Sequence, residues 1–322
     1  MMKKKSRPSL GKRLLKFLIW TVGVVFVLFN FLSATHAYKF THFYDYQPNK
    51  GPVLLSEGGW QKMEDLVFGK DYEKKPNIAR PDSFTDVILT TPDHLKLRGW
   101  YRVVPHAAGT VELFHGYGEN RTDVLPQAMA FAAMGYNVFL IDFRAHGNSD
   151  GHTTTIGDLE AGDVKLAYDF IRQKGEKNIV LWGFSMGAAS IAHAIAEYDL
   201  HPNKVILEMP FATMEQAVEG QVRLMHLPTE PLGTLLTFWG GIEHGFWAFS
   251  INPEEYVRKI HCPVLLQQGA HDIRVTPDQT QEIFAHLNQP KQLVIYQQSG
   301  HESLLKKERM KWLTTVASFL NS

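Results

Sequence analysis

The stretch VLWGFSMGAAS, residues 180–190, decides how the rest of this chain is read. An apolar run stops at Gly183, Ser185 follows two places later, Gly187 two after that, and an alanine-rich segment continues. A strand that ends in G-x-S-x-G and restarts as a helix must turn sharply at the serine, which lifts the hydroxyl out of the sheet. Gly183 and Gly187 suit the turn because a Cβ at either place would meet the turn itself or a neighbouring strand. Ser185 is then a presented hydroxyl. The competing reading is a serine that merely caps a helix after a strand.

The segments on either side carry the matching pattern. FTDVILTT (84–91) and LKLRGWYRVV (95–104) alternate around PDH and predict a hairpin. Then come GTVELF (109–114), a glycine loop, a helix over about 122–134 and NVFLIDF (137–143). A second cycle runs from a helix over 158–173 through NIVLW (178–182), a helix from Met186 and KVILEM (204–209). The last cycle is CPVLLQQ (262–268), a helix opening at Thr276 with Pro277 in its first turn, QLVIY (292–296) and a closing helix. Short, continuously apolar strands separated by amphipathic helices predict an α/β fold, a doubly wound, mostly parallel sheet covered on both faces. In such a sheet the site lies at the carboxyl ends of the strands.

Four post-strand segments therefore matter: HGYG (115–118), GFSMG (183–187), GAHD (269–272) and SGH (299–301). A serine hydroxyl attacks only when a base takes its proton and an acid holds that base in the right tautomer. His301 after QLVIY and Asp272 after CPVLLQQGAH supply both, in the order Ser185, Asp272, His301 expected when all three hang from successive strand ends. Asp278, in the first turn of the next helix, is the reserve acid, with a favourable interaction at that helix N-terminus as its other reading. Two donors must face the developing oxyanion: the backbone N–H of Met186 and, from the glycine loop, that of Tyr117.

These residues resemble the α/β-hydrolase superfamily over about 83–322, closest to its serine-aminopeptidase-like and monoacylglycerol-lipase-like branch. The resemblance implies hydrolysis of a carboxylic ester, thioester or amide through an acyl-enzyme, with no metal or organic cofactor, and it gives DFRAHGNSDG (142–151) a structural role. It implies a helical lid at the insertion 213–250. That insertion is apolar, with Leu235, Leu236, Phe238, Trp239, Trp247 and Phe249, and reads either as packing against the sheet domain or as a wall for an acyl chain. Esterase or lipase is the first expectation, thioesterase the second and aminopeptidase the third. The last would need an acidic group near the pocket, for which Glu215, Glu219 and Glu243 are candidates.

The start of the chain is strongly basic, and residues 17–34 are apolar apart from Thr21, Asn30 and Ser33. About eighteen helical residues cover roughly 27 Å, near the lower limit for a bilayer. Residues 1–37 thus read as a membrane anchor, or as a signal segment cleaved after Ala37, with the basic flank cytoplasmic and the remainder across the membrane. Residues 38–82, rich in turn formers such as QPNKGP, read as a connector holding a short helix near Trp60 to Phe68.

Composition narrows the partners. The chain of 322 residues carries 33 Lys plus Arg against 33 Asp plus Glu, which argues against nucleic acid and leaves a small-molecule or lipid acyl substrate. The single cysteine, Cys262, excludes an intramolecular disulfide framework, and no HExxH spacing supports a metalloprotease. A dinucleotide-binding domain is the rival fold, since GYGEN follows a strand and Asp142 ends the next one. It fails at Arg121, where the third glycine belongs. A non-catalytic relative that uses the pocket only for binding has no feature in its favour.

Overall fold

A computed structural model of the chain describes residues 9–46 and 59–322; the basic residues 1–8 and the turn-rich QPNKGP (47–52) lie outside the described residues. Eight strands form the main sheet: β3 (Thr85–Thr90), β4 (Lys96–Arg102), β5 (Thr110–Phe114), β6 (Asn137–Ile141), β7 (Ile179–Phe184), β8 (Lys204–Glu208), β9 (Val264–Gly269) and β10 (Lys291–Tyr296). Their order across the sheet is β10-β9-β8-β7-β5-β6-β4-β3. The hairpin strands β3 and β4 pair antiparallel, β4 is antiparallel to β6, and every other pairing is parallel.

Two-residue alternation divides the core. In β6, Val138 and Leu140 face one layer, while Phe139 and Ile141 face the other. The first layer is closed by α3 (Leu125–Ala133) and α11 (Arg309–Asn321) through Phe131, Trp312 and Val316. The second is closed by α4 (Leu159–Gln173), α5 (Met186–Tyr198) and α9 (Pro277–His286) through Val164, Ile191 and Ile283. With helices on both faces, strand order reverses beside β5, which pairs with β6 on one side and β7 on the other. The loops after β5 and β7 therefore emerge side by side at the switch point, where an α/β sheet opens a crevice.

The insertion after β8 forms α6 (Met214–Leu224), α7 (Leu232–His244) and a 3-10 turn at Ala248–Ser250. Thr213 caps α6, its side chain accepting from the Gln216 N–H at 3.2 Å. Short helices α8 (Pro253–Tyr256) and α10 (Leu304–Lys307) complete the domain.

The N-terminal helix α1 spans Leu10–Thr41, long and apolar enough to cross a membrane, and exposes Phe17, Trp20 and Phe26 along most of its length. It runs past Ala37, which is 3% exposed, because its last turns pack on α7 rather than ending in solvent. There the Trp239 indole N–H donates to the Asn30 side-chain oxygen at 3.2 Å. The segment after α1 is stitched to the sheet domain. β1 (Phe43–Tyr44) pairs in parallel with β2 (Tyr72–Glu73), the Phe43 N–H donates to His152 O at 2.7 Å, and the Thr154 N–H donates to Thr41 O at 2.9 Å. Between β1 and β2 lies α2 (Gly59–Phe68).

Candidate active site

Ser185 joins β7 to α5 with φ 51° and ψ −115°, a backbone conformation that costs energy for any residue with a side chain. The turn is held from both sides. The Ser185 N–H donates to Glu208 O at 2.8 Å, and a Cβ on Gly187 would stand 2.2 Å from Phe114 O, so β5 approaches too closely for any residue but glycine.

The structure brings Ser185, His301 and Asp272 into one chain. Ser185 Oγ lies 2.9 Å from His301 Nε2, and His301 Nδ1 lies 2.7 Å from Asp272 Oδ2. His301 follows β10, Asp272 follows β9, and the ring of Phe184 sits 5.2 Å from the imidazole. Asp272 is buried and accepts the Arg274 and Val275 N–H groups at 2.8 and 2.9 Å on Oδ1, and the Gln268 amide at 3.3 Å on Oδ2. These donors fix the orientation of the carboxyl group. With His301 Nδ1–H donating to it, Nε2 is the acceptor for the serine proton. The reserve acid Asp278 stands exposed in the first turn of α9, and His301 Nδ1 is bonded to Asp272 instead.

Hydrogen bonds hold the glycine loop in place. Burial holds His115 well below the usual histidine range, so its ring is neutral. Its Nε2 accepts the Phe143 N–H at 3.1 Å, which leaves the proton on Nδ1, 2.8 Å from Gly116 O. The Gly116 N–H donates to Glu119 Oε2 at 3.0 Å, and the Gly118 N–H to His146 Nε2 at 3.1 Å. Among the described residues the N–H groups of Tyr117 and Met186 have no protein acceptor, and both residues line the cavity that holds Ser185 and His301. Met186 is the first residue of α5, where helical N–H groups are unpaired by geometry.

That cavity, of about 250 Å³, is bounded by Phe40, Tyr117, Glu119, Phe211 and Arg274 among others. Two of these walls are invisible to motif reading. Phe40 comes from α1, 77 positions before Tyr117, whose phenol donates to Phe40 O at 2.5 Å. Glu119 is a loop carboxyl that burial pushes up to about 7. A glutamate three places after the first glycine of the loop is its only signal in the sequence. The acidic candidates for an amine-binding site are engaged elsewhere: Glu215 with Thr234, Glu219 with Arg223, and Glu243 with His42. None of the three lines the cavity.

The dinucleotide reading fails structurally as well. Asp142 is fully buried and accepts from the Arg121 guanidinium at 2.5 Å, the Arg121 N–H at 2.8 Å, Asn77 at 2.7 Å and the Asn148 N–H at 2.8 Å. It holds loops together and, fully buried, lies out of reach of a ribose. Cys262 is half-buried, and burial pushes its thiol up to about 11, which leaves it unreactive. On other elements, His42, Glu243 and His244 bring ligand-type atoms within 4.8 Å of one another, and a metal could be held there. The triad geometry involves none of them.

Residues 105–239 match the family model described as serine aminopeptidase, S33. The chain is 28% identical over 227 residues to the uncharacterized protein YqkD of Bacillus subtilis, covering 69% of this chain and 74% of that one. It is 28% identical over 158 residues to lysophosphatidylserine lipase ABHD12 of Danio rerio, covering 46% of this chain and 38% of that longer one. Among solved structures, the esterase Pf2001 of Pyrococcus furiosus superposes with a TM-score of 0.64 at 26% identity, over 77% of this chain and 97% of that one.

Proposed function

The chain belongs to the α/β-hydrolase superfamily, in its serine-aminopeptidase-like branch, and we propose that it is a serine hydrolase that cleaves carboxylic esters through an acyl-enzyme. The observation that carries this reading is the hydrogen-bonded line from Ser185 Oγ through His301 to Asp272 at 2.9 and 2.7 Å, mounted on a positive-φ elbow.

In this reading His301 Nε2 takes the Ser185 proton as Oγ bonds to the substrate carbonyl carbon. The carbonyl oxygen becomes an oxyanion facing the N–H groups of Tyr117 and Met186. A donor of this kind is worth about 10²- to 10³-fold in rate. Collapse breaks the ester bond, and the imidazolium returns its proton to the departing alkoxide oxygen. Water then repeats the sequence on the acyl-enzyme, giving the free acid and restoring Ser185. Asp272 steadies the ring through its bond to His301 Nδ1–H. Glu215, Glu219 and Glu243 are turned to other partners, and Glu119, the carboxyl that does line the cavity, already accepts the Gly116 N–H; both favour an ester over an amino-terminal amide.

The same reading makes α1 a single-pass anchor. Lys12, Arg13 and Lys16 stand at its basic, cytoplasmic end, and the catalytic domain lies on the far side. Labelling by a fluorophosphonate tests the chemistry. Wild-type protein is expected to be modified at Ser185 and the Ser185→Ala protein not at all; undiminished ester turnover in a folded Ser185→Ala protein refutes the proposal.

A further inference from the structure

Beside the triad cavity lies a second one of about 410 Å³, and the two share Phe40, Ile156 and Gln221 as walls. Its lining is mostly apolar and comes from three helices: Ala37 and Phe40 of α1, Val218 and Val222 of α6, and Leu236 of α7, with Phe246 beyond. An apolar chamber walled off from the triad cavity only by shared side chains suits the part of a substrate that carries no polar group. The wall from α1 is notable because the rest of that helix exposes apolar side chains, so the chamber sits at the end of a segment suited to hydrocarbon.

Two adjacent glycines of α7 differ in what they allow. At Gly241 a Cβ would stand 2.7 Å from Phe246 O, so this glycine lets the helix close on the following turn. At Gly240, which also lines the chamber, a Cβ would meet nothing within 4 Å. Packing therefore does not require glycine at 240, and a larger side chain at this position of the chamber wall has open space to enter.

We infer that this chamber takes the acyl chain of a long-chain ester, that the last turns of α1 form part of the substrate site as well as a tether, and that Gly240 sets the chain length admitted. The inference rests on the serine-hydrolase reading, which places the acyl carbonyl at Ser185. A chain attached there reaches the chamber past Phe40 and Ile156. An ester drawn from the bilayer would present its chain on the side where α1 stands.

The test uses the full chain in detergent micelles with acetyl, butyryl, octanoyl and palmitoyl esters of one alcohol. Each methylene buried in the chamber is expected to raise kcat/KM by up to about fourfold until the space is filled. Gly240→Phe is expected to lower the palmitoyl-to-acetyl ratio of kcat/KM by about tenfold or more, and Gly240→Leu by less. Fluorophosphonate labelling of both variants reports that the elbow is intact. In addition, a long-chain alkyl fluorophosphonate with a terminal diazirine, once bound to Ser185, is expected to crosslink to α1, α6 or α7 on illumination. A flat chain-length profile, a ratio the same in the glycine variants as in wild type, or crosslinks confined to other elements overturns the chamber while normal labelling of Ser185 leaves the hydrolase reading standing. Absent labelling of wild-type Ser185 overturns the hydrolase reading itself.

Discussion

The phenol of Tyr117 donates to the carbonyl oxygen of Phe40 at 2.5 Å and so ties the last turn of the N-terminal helix to the glycine loop beside Ser185. Phe40 O is one of the helix-terminal carbonyls with no intrahelical partner, so the phenol satisfies an acceptor that would otherwise be unpaired in a partly buried place. Tyr117→Phe keeps the backbone N–H and removes only this tie. It is expected to destabilise by about 1–3 kcal/mol and to lower kcat for esters by up to about tenfold. Thermal unfolding and steady-state kinetics check both. Wild-type values for both would show that helix and loop are energetically independent.

The triad members differ in what their loss should do. In the proposed mechanism Ser185→Ala removes the attacking atom, and kcat is expected to fall by about 10⁶. Asp272→Asn keeps the shape but lets the amide stabilise the wrong imidazole tautomer, and kcat is expected to fall by about 10⁴. Asp278→Asn changes an exposed residue at a helix N-terminus and is expected to leave kcat alone. A large loss there would make Asp278 the working acid.

The range of each interaction decides whether it can be read from sequence. The strands are legible because alternation is local, as in NVFLI of β6, where each residue declares its layer. The elbow is legible because glycine, serine and glycine must sit within five positions of one another. The end of α1 is not legible: hydropathy marks where the apolar run stops near Ala34, whereas the helix continues to Thr41 because it packs on α7. The contact of Phe40 with Tyr117 spans 77 positions, and no local pattern reports it. Glu119 and Glu208 look like ordinary solvated carboxylates in sequence, and only the fold buries them.

Close backbone approach at the elbow gives a sharp contrast between two glycines. Gly187→Ala places a methyl 2.2 Å from Phe114 O and 2.8 Å from His115 O, both main-chain atoms of the β5 end and its loop. Neither can move without displacing the glycine loop. Loss of fluorophosphonate labelling and a destabilisation of about 1–3 kcal/mol or more are expected. Gly240→Ala puts the same methyl into open space within a helix and is expected to stabilise by up to about 1 kcal/mol. Thermal unfolding of the pair distinguishes steric need from helix propensity.

Glu208 gives the fold a pH dependence. It ends β8 directly beneath the elbow, its carboxyl fully buried, with Oε1 accepting from the Trp182 and Trp312 indoles at 2.9 and 2.6 Å and from Gln267 at 3.2 Å, while Oε2 has no partner among the described residues. Burial pushes this carboxyl up to about 7 from an ordinary value of 4.5. The folded state therefore holds a proton that the unfolded chain has released, and stability falls as pH rises between those two values. The group alone contributes on the order of 3 kcal/mol to that fall. Glu119, pushed up to about 7, and Asp163, to about 6, act in the same direction. Glu208→Gln removes the titration and is expected to reduce the slope of unfolding free energy against pH across this window without abolishing it. Denaturant unfolding of both proteins at a series of pH values measures it, and parallel curves would mean that Glu208 is already ionised in the folded protein.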